Sequence, residues 1–224
     1  MPGSTSEVSR MFSPNWSGAS AMCDCQTLPR SATTFFTSEK GTSAEIRLAL
    51  GRLAIESGHP ALAEAPAREA IEEFRQEKAS EDEASAHLLL ARSLLAQGKY
   101  PGAQEALEGA RTLLRKSQDL DAHFSFLITA ARVRRASGRQ ANRQEAVKSL
   151  EAVLAKTKKS GFLGYELEAN LALGETELQS GNIAGARKRL EALERQAGTR
   201  GFGLIAQKAA AARKQMLLYQ APCK

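Results

Sequence analysis

Aromatic side chains make up only 5% of this 224-residue chain, with a single tryptophan. Ala, Leu, Glu, Arg and Lys dominate instead. A sheet protein would draw on Val, Ile, Thr and Tyr, so the composition favours helices packed through small and leucine side chains. No apolar run approaches the roughly 20 residues that a membrane span needs, so no membrane contact is expected. Cysteines are scarce too. Cys23, Cys25 and Cys223 are odd in number, which rules against a disulfide framework. Cys23 and Cys25 have no histidine or second cysteine pair nearby, which argues against zinc. Free thiols in a reducing compartment, and so a cytoplasmic location, are expected. The run Ala19-Ser20-Ala21-Met22-Cys23 loosely matches a lipoprotein cleavage site, but no apolar segment of about 7–15 residues precedes it, and a secretory signal is not expected.

The residue types that make enzymes are present but do not converge. His59, His87 and His123 occupy different phases of the helical pattern described below, so packing would not bring them together. Lys99 follows Gly98, yet the upstream glycine of a phosphate-binding loop is missing. The carboxylate groups Glu72/Glu73 and Glu81/Asp82/Glu83 suit helix surfaces and helix starts, where the helix dipole favours negative charge. No catalytic residue, metal ligand or cofactor is expected, and the chain does not read as an enzyme.

The formal net charge is +6. It is distributed unevenly: residues 1–43 balance, residues 44–131 carry −4 and residues 132–224 carry +10. A basic C-terminal half can meet acidic partners, nucleic acid or anionic lipid, or it can be solvated helix faces rich in Lys and Arg. Arg132, Arg134, Arg135, Arg139 and Arg143 form the densest cluster. Phosphate contacts could use it, but no stacking aromatics interleave with it, so nucleic acid is not the expected partner.

Residues 1–43 are rich in Ser, Thr, Gly and Pro and show no sustained period, which predicts a disordered leader. From Ala44 the chain changes character. Gly58, Gly98 and Gly138 fall 40 residues apart, and Gly181 follows after 43. Self-similarity at a period of about 20–50 residues is a mark of stacked helix pairs. Each glycine is preceded by an amphipathic stretch: 44–57, 82–97, 122–137 and 163–180. Each is followed by a second: 60–78, 101–117, 143–159 and 183–197. Pro60 and Pro101 lie near helix starts, where a missing N–H is harmless. Pro66 falls in the first turns of its helix or bends it. Three extra residues delay the third copy, and Arg139-Gln140-Ala141-Asn142-Arg143 is expected to lengthen one turn.

Small and large positions recur through the four copies. Gly51, Ala91, Ala131 and Gly174 are the small residues of the first helices. Ala63, Ala103, Ala146 and Ala186 come early in the second helices. One turn later stand Ala67, Leu107, Leu150 and Leu190, and then Ala70, Ala110, Val153 and Leu193. Gly161-Phe162 and Gly201-Phe202, also 40 apart, each open a helix. The last, over 203–218, has no following partner; with Lys208, Arg213, Lys214 and Gln215 it suits a polar cap.

The best-preserved copy, Leu90 to Ala110, with Ala91, Leu94, Gly98, Tyr100, Ala103 and Leu107, resembles the tetratricopeptide repeat. That resemblance implies an all-α, right-handed solenoid of antiparallel helix pairs over 44–218, a leader over 1–43 and a tail over 219–224. The aromatic usual in the first helix is replaced by Ala54, Leu94, Arg134 and Glu177, and the 40-residue period exceeds that of the standard repeat. Ala67-Arg68-Glu69-Ala70, Leu90 to Lys99, Ala130 to Arg134 and Gly201 to Ala206 look like the C-terminal repeat segment of large bacterial signalling proteins. Those carry a serine/threonine kinase or winged-helix domain ahead of the repeats, and neither is present here.

The resemblance implies a non-catalytic scaffold that binds a protein or peptide segment in a concave groove lined by the first helices. An alternative is a sensor or scaffold portion of a larger kinase or transcriptional regulator. The groove positions carried over are Leu48, Arg52 and Ile55; Leu88, Arg92 and Leu95; Ile128, Arg132 and Arg135; and Leu171, Glu175 and Leu178. Arg52, Arg92 and Arg132, spaced by 40, would stack as a ladder with Glu175 at its end. Guanidinium groups pair bidentately with carboxylates, so the ladder suits an acidic segment. The competing reading is that these arginines pair with neighbouring Glu and that the apolar residues pack between helices.

Overall fold

The computed structural model describes residues 30–220, with side chains over residues 43–216. The chain divides into two units, Met1–Phe36 and Thr37–Lys224; α1 begins in the first, and the packing below is that of the second. Cys23, Cys25, Cys223 and most of the expected leader lie outside the described residues. The described residues are helical without a strand: α1 (Arg30–Glu56), a 3-10 turn (Pro60–Ala63), α2 (Glu64–Glu77), α3 (Ser80–Ala96), α4 (Tyr100–Leu114), α5 (Leu120–Ala136), α6 (Gln140–Ser160), α7 (Leu163–Gln179), α8 (Ile183–Thr199) and α9 (Gly203–Gln220). None of these helices is long and apolar enough to cross a membrane.

The helices end where the glycines stand. Gly58, Gly98, Gly138 and Gly181 all have φ between +74° and +84°. At the end of α3 the Gly98 N–H donates to the Leu95 carbonyl (3.0 Å) and the Lys99 N–H to that of Leu94 (2.9 Å). This double closure satisfies carbonyls that the helix leaves unpaired, and it needs a left-handed residue, which glycine adopts at least cost. Helix α2 closes the same way, through Lys78 to Arg75 (3.2 Å) and Ala79 to Phe74 (3.0 Å), but with a lysine at φ 59°.

From α2 onward consecutive helices pack as neighbours, and α3 touches α5, α5 touches α7 and α7 touches α9; α1 meets α3 where Gly51 faces Leu89. Among the described residues the even-numbered helices make no such contacts with one another. Odd-numbered helices therefore form one layer and even-numbered helices the other. All sixteen positions singled out by the spacing, from Gly51, Ala91, Ala131 and Gly174 to Ala70, Ala110, Val153 and Leu193, are buried. The glycines among them mark close approaches. A Cβ at Gly51 would lie 2.8 Å from Leu89 Cδ2, and one at Gly174 would lie 2.7 Å from Leu190 Cδ2. Phe124, Phe162 and Tyr165 add an aromatic cluster where α5 and α7 begin, with Phe124 5.5 Å from Phe162 and 5.8 Å from Tyr165 between ring centroids.

Three expectations need correction. Helix α1 starts at Arg30, inside the segment expected to be a disordered leader, of which residues 1–29 lie outside the described residues. The three extra residues before Ala146 do not lengthen a turn: α6 begins at Gln140 and absorbs them as added helix. At the other end α9 runs on to Gln220, past the boundary placed at 218. Pro66 sits third in α2, within the first turn, where its missing N–H removes no intrahelical bond.

Candidate binding face of the odd-numbered helices

The twelve groove positions separate into two groups. Leu48, Leu88, Ile128, Leu171 and Leu178 are buried, and Ile55 and Leu95 pack against the core formed by α1 to α5. These seven do not form an open apolar strip. A helix held between two neighbours in its layer and the layer behind it buries more than one face, so its apolar residues pack between helices.

The charged positions stay together on the outer side of the odd-numbered layer, and most are internally paired. Arg92 donates from Nη2 to Glu56 Oε1 at 3.1 Å. Arg132 Nη1 stands 3.9 Å from Glu168 Oε2, too far for a hydrogen bond. Arg135 donates from Nη1 to Glu175 Oε2 at 2.8 Å, and its Nε is buried without an acceptor. Glu175 is thus the partner of Arg135 rather than the end of a ladder. Arg52 is exposed and makes no ion pair with a described residue.

Residues outside the carried-over positions complete this face. Glu56 also pairs with Lys208 of α9, so the odd-numbered layer curves far enough for its last helix to reach the end of α1. The cations Arg52, Arg92, Arg132, Arg135 and Lys208 gather here with the carboxylates Glu56, Glu168 and Glu175, and Asp119 and Asp121 act on Tyr165 together with Glu168 and Arg52. Burial, followed by the Arg132 guanidinium, holds the Arg92 pKa below its ordinary value; Glu168 and Glu56 oppose that effect and Arg52 adds to it. Arginine remains charged throughout, so the shift measures an unfavourable setting for positive charge, one that an added anion would relieve. Tyr165 is pushed up to about 12 by burial and then by Asp121, with Arg52 acting in the opposite sense.

Sequence reasoning missed Glu56, Glu168 and Lys208 as members of this face. Glu56 was open to discovery, since it lies four residues after Arg52 and so on the same helix face. Lys208 follows Glu168 by 40, the interval between Gly161 and Gly201. It points inward to Glu56, and Arg213 pairs with Glu191 (3.6 Å) and Glu194 (3.2 Å) of α8, so the expected solvating surface of α9 is partly spent on internal pairs.

The dense basic cluster of 132–143 spans the end of α5 and the start of α6 and does not stay together. Arg132 and Arg135 turn towards α7, whereas Arg134 turns to α6, 3.5 Å from Glu145 and 3.4 Å from Ser149 Oγ. Arg143 caps back on Gln140 at 2.8 Å. The histidines remain apart: His59 is exposed, His123 Nε2 meets the Ser117 carbonyl at 3.0 Å, and His87 lies flat on Gly109. Glu72 and Glu83 both pair with Arg75, at 2.7 Å and 3.0 Å, and Glu73 pairs with Arg47. Among the described residues no three His, Cys, Asp or Glu side chains are grouped to hold a metal. Compared with protein-family models and with curated proteins, the chain matches none.

Proposed function

We propose that this chain is a tetratricopeptide-like helical solenoid that binds an acidic segment of a partner protein on the charged face of its odd-numbered helices. The observation that carries this reading is the set of incompletely paired arginines on that face. Arg92 and Arg132 repel one another in a partly desolvated setting, Arg132 has only a 3.9 Å carboxylate neighbour, and Arg135 keeps a buried donor without an acceptor. An incoming carboxylate would lower the cost of each of these charges and accept hydrogen bonds from them. The two-layer helix pairing and the buried small positions support the solenoid. Recognition is electrostatic rather than greasy, since the apolar neighbours are spent on the core.

Arg52 is the position to test, because it is exposed and its loss leaves no described ion partner stranded. In a fluorescence anisotropy titration, a fluorescein-labelled oligoglutamate peptide should bind the full chain and an oligolysine peptide should not. Arg52→Glu should weaken the acidic peptide at least tenfold, in line with reversing one charge-assisted contact of roughly 1.5–3 kcal/mol. Equal binding of both peptides, or no effect of the variant, would refute the proposal.

A further inference from the structure

Glu56 is the last residue of α1 and both of its carboxylate oxygens are engaged, one by Arg92 Nη2 at 3.1 Å and the other by Lys208 Nζ. A guanidinium and an ammonium from two other helices converging on one carboxylate is the arrangement that a partner's Asp or Glu would need. Glu56 is not part of the apolar core, and its side chain keeps 18% of its surface exposed, so solvent and competing anions can reach it.

We infer that Glu56 is a built-in occupant of the acidic-segment site: it holds the middle arginine and Lys208 until a partner carboxylate displaces it. This inference rests on the reading of the charged face given above. A tethered carboxylate competes at an effective concentration in the millimolar range, so weak or isolated anions do not displace it. A segment with several carboxylates does, because Arg52 and Arg132 contribute contacts that Glu56 does not make. The internal pair therefore filters for multivalent acidic partners. Displacement also frees Lys208 from α1, and α9 is released from the end of the first helix.

The apparent affinity of a self-occupied site is reduced by the fraction of molecules in which it is free. With Glu56 seated about nine-tenths of the time, its removal tightens binding roughly tenfold. The experiment compares wild type, Glu56→Gln and Glu56→Asp in the oligoglutamate titration, with folding checked by circular dichroism. Gln keeps the shape and a hydrogen-bond acceptor without the charge. Asp keeps the charge but withdraws it by one methylene, and carries the test if the Gln variant does not fold. Gln should bind about tenfold tighter than wild type, and Asp should fall between them. Binding by the Gln variant alone supports the inference as well. Unchanged or weaker binding by both variants, with wild type binding, overturns the inference and leaves the charged face as a binding site. Binding by none of the three overturns both.

Discussion

Gly174 lies in α7 against Leu190 of α8, and replacing it by alanine sets two opposed effects against each other. Alanine in a helix interior is favoured over glycine by about 1 kcal/mol. The new methyl would stand 2.7 Å from Leu190 Cδ2 and 2.8 Å from its Cγ. Leu190 is 0% exposed, and overpacking against a buried side chain costs about 1–3 kcal/mol. The net result is a loss of about 0–2 kcal/mol. Leu190→Ala alone should cost about 2–5 kcal/mol, by transfer and cavity together. In that background the methyl at 174 enters vacated space, and Gly174→Ala becomes stabilising by about 1 kcal/mol. The double-mutant cycle should therefore show a favourable coupling of about 1–3 kcal/mol. Gly198, in α8 with nothing within 4 Å of its would-be Cβ, is the control; there Ala should add about 0.5–1 kcal/mol. Urea unfolding followed by far-UV circular dichroism reads all five proteins. Gly174→Ala as stabilising as Gly198→Ala, or a coupling below about 0.5 kcal/mol, would refute the close-approach argument.

Lys78→Gly should raise stability by about 0.5–1 kcal/mol in the same assay, since Lys78 is the one non-glycine residue at positive φ among the described residues. His87 responds to pH. Burial pushes its pKa below 6.5, Glu83 opposes the shift and Arg75 reinforces it, so the unfolded chain takes up the proton first. Its contribution is present above pH 6.5 and declines as the pH falls from there towards the folded pKa. His87→Phe, which removes the buried Nδ1 that lacks a partner, should flatten that part of the thermal-stability profile; an unchanged slope would count against the assignment.

Glycine spacing made most of the helix ends legible in the sequence, because a left-handed closure leaves a visible residue at Gly58, Gly98, Gly138 and Gly181. It hid the end of α2, where the same closure is made by Lys78. The small-residue register held at every position, since an alanine or glycine at a close helix contact is dictated by volume. The inserted residues before Ala146 were misassigned, because adding three residues to a turn and adding nearly a turn of helix displace the next apolar position equally. The binding face was half legible. Spacing brought Arg92 and Arg132 together, but their partners come from other helices: Glu56 from α1, Glu168 from α7, and Lys208 through Glu56. Nor does periodicity separate an apolar residue lining a groove from one packed between helices, and Leu48, Leu88, Ile128 and Leu171 proved to be the second kind.

The arginines of the odd-numbered face, and not the basic surface at large, are expected to meet the acidic segment. Arginine Nε–Hε resonances of the labelled chain, followed by NMR during addition of the oligoglutamate peptide, test it directly. Saturable shifts are expected at Arg52, Arg92, Arg132 and Arg135, with little change at Arg187, Arg195 and Arg200, which stand on α8 and at its C-terminal end. Uniform shifts across both groups, or shifts confined to the latter three, would contradict it.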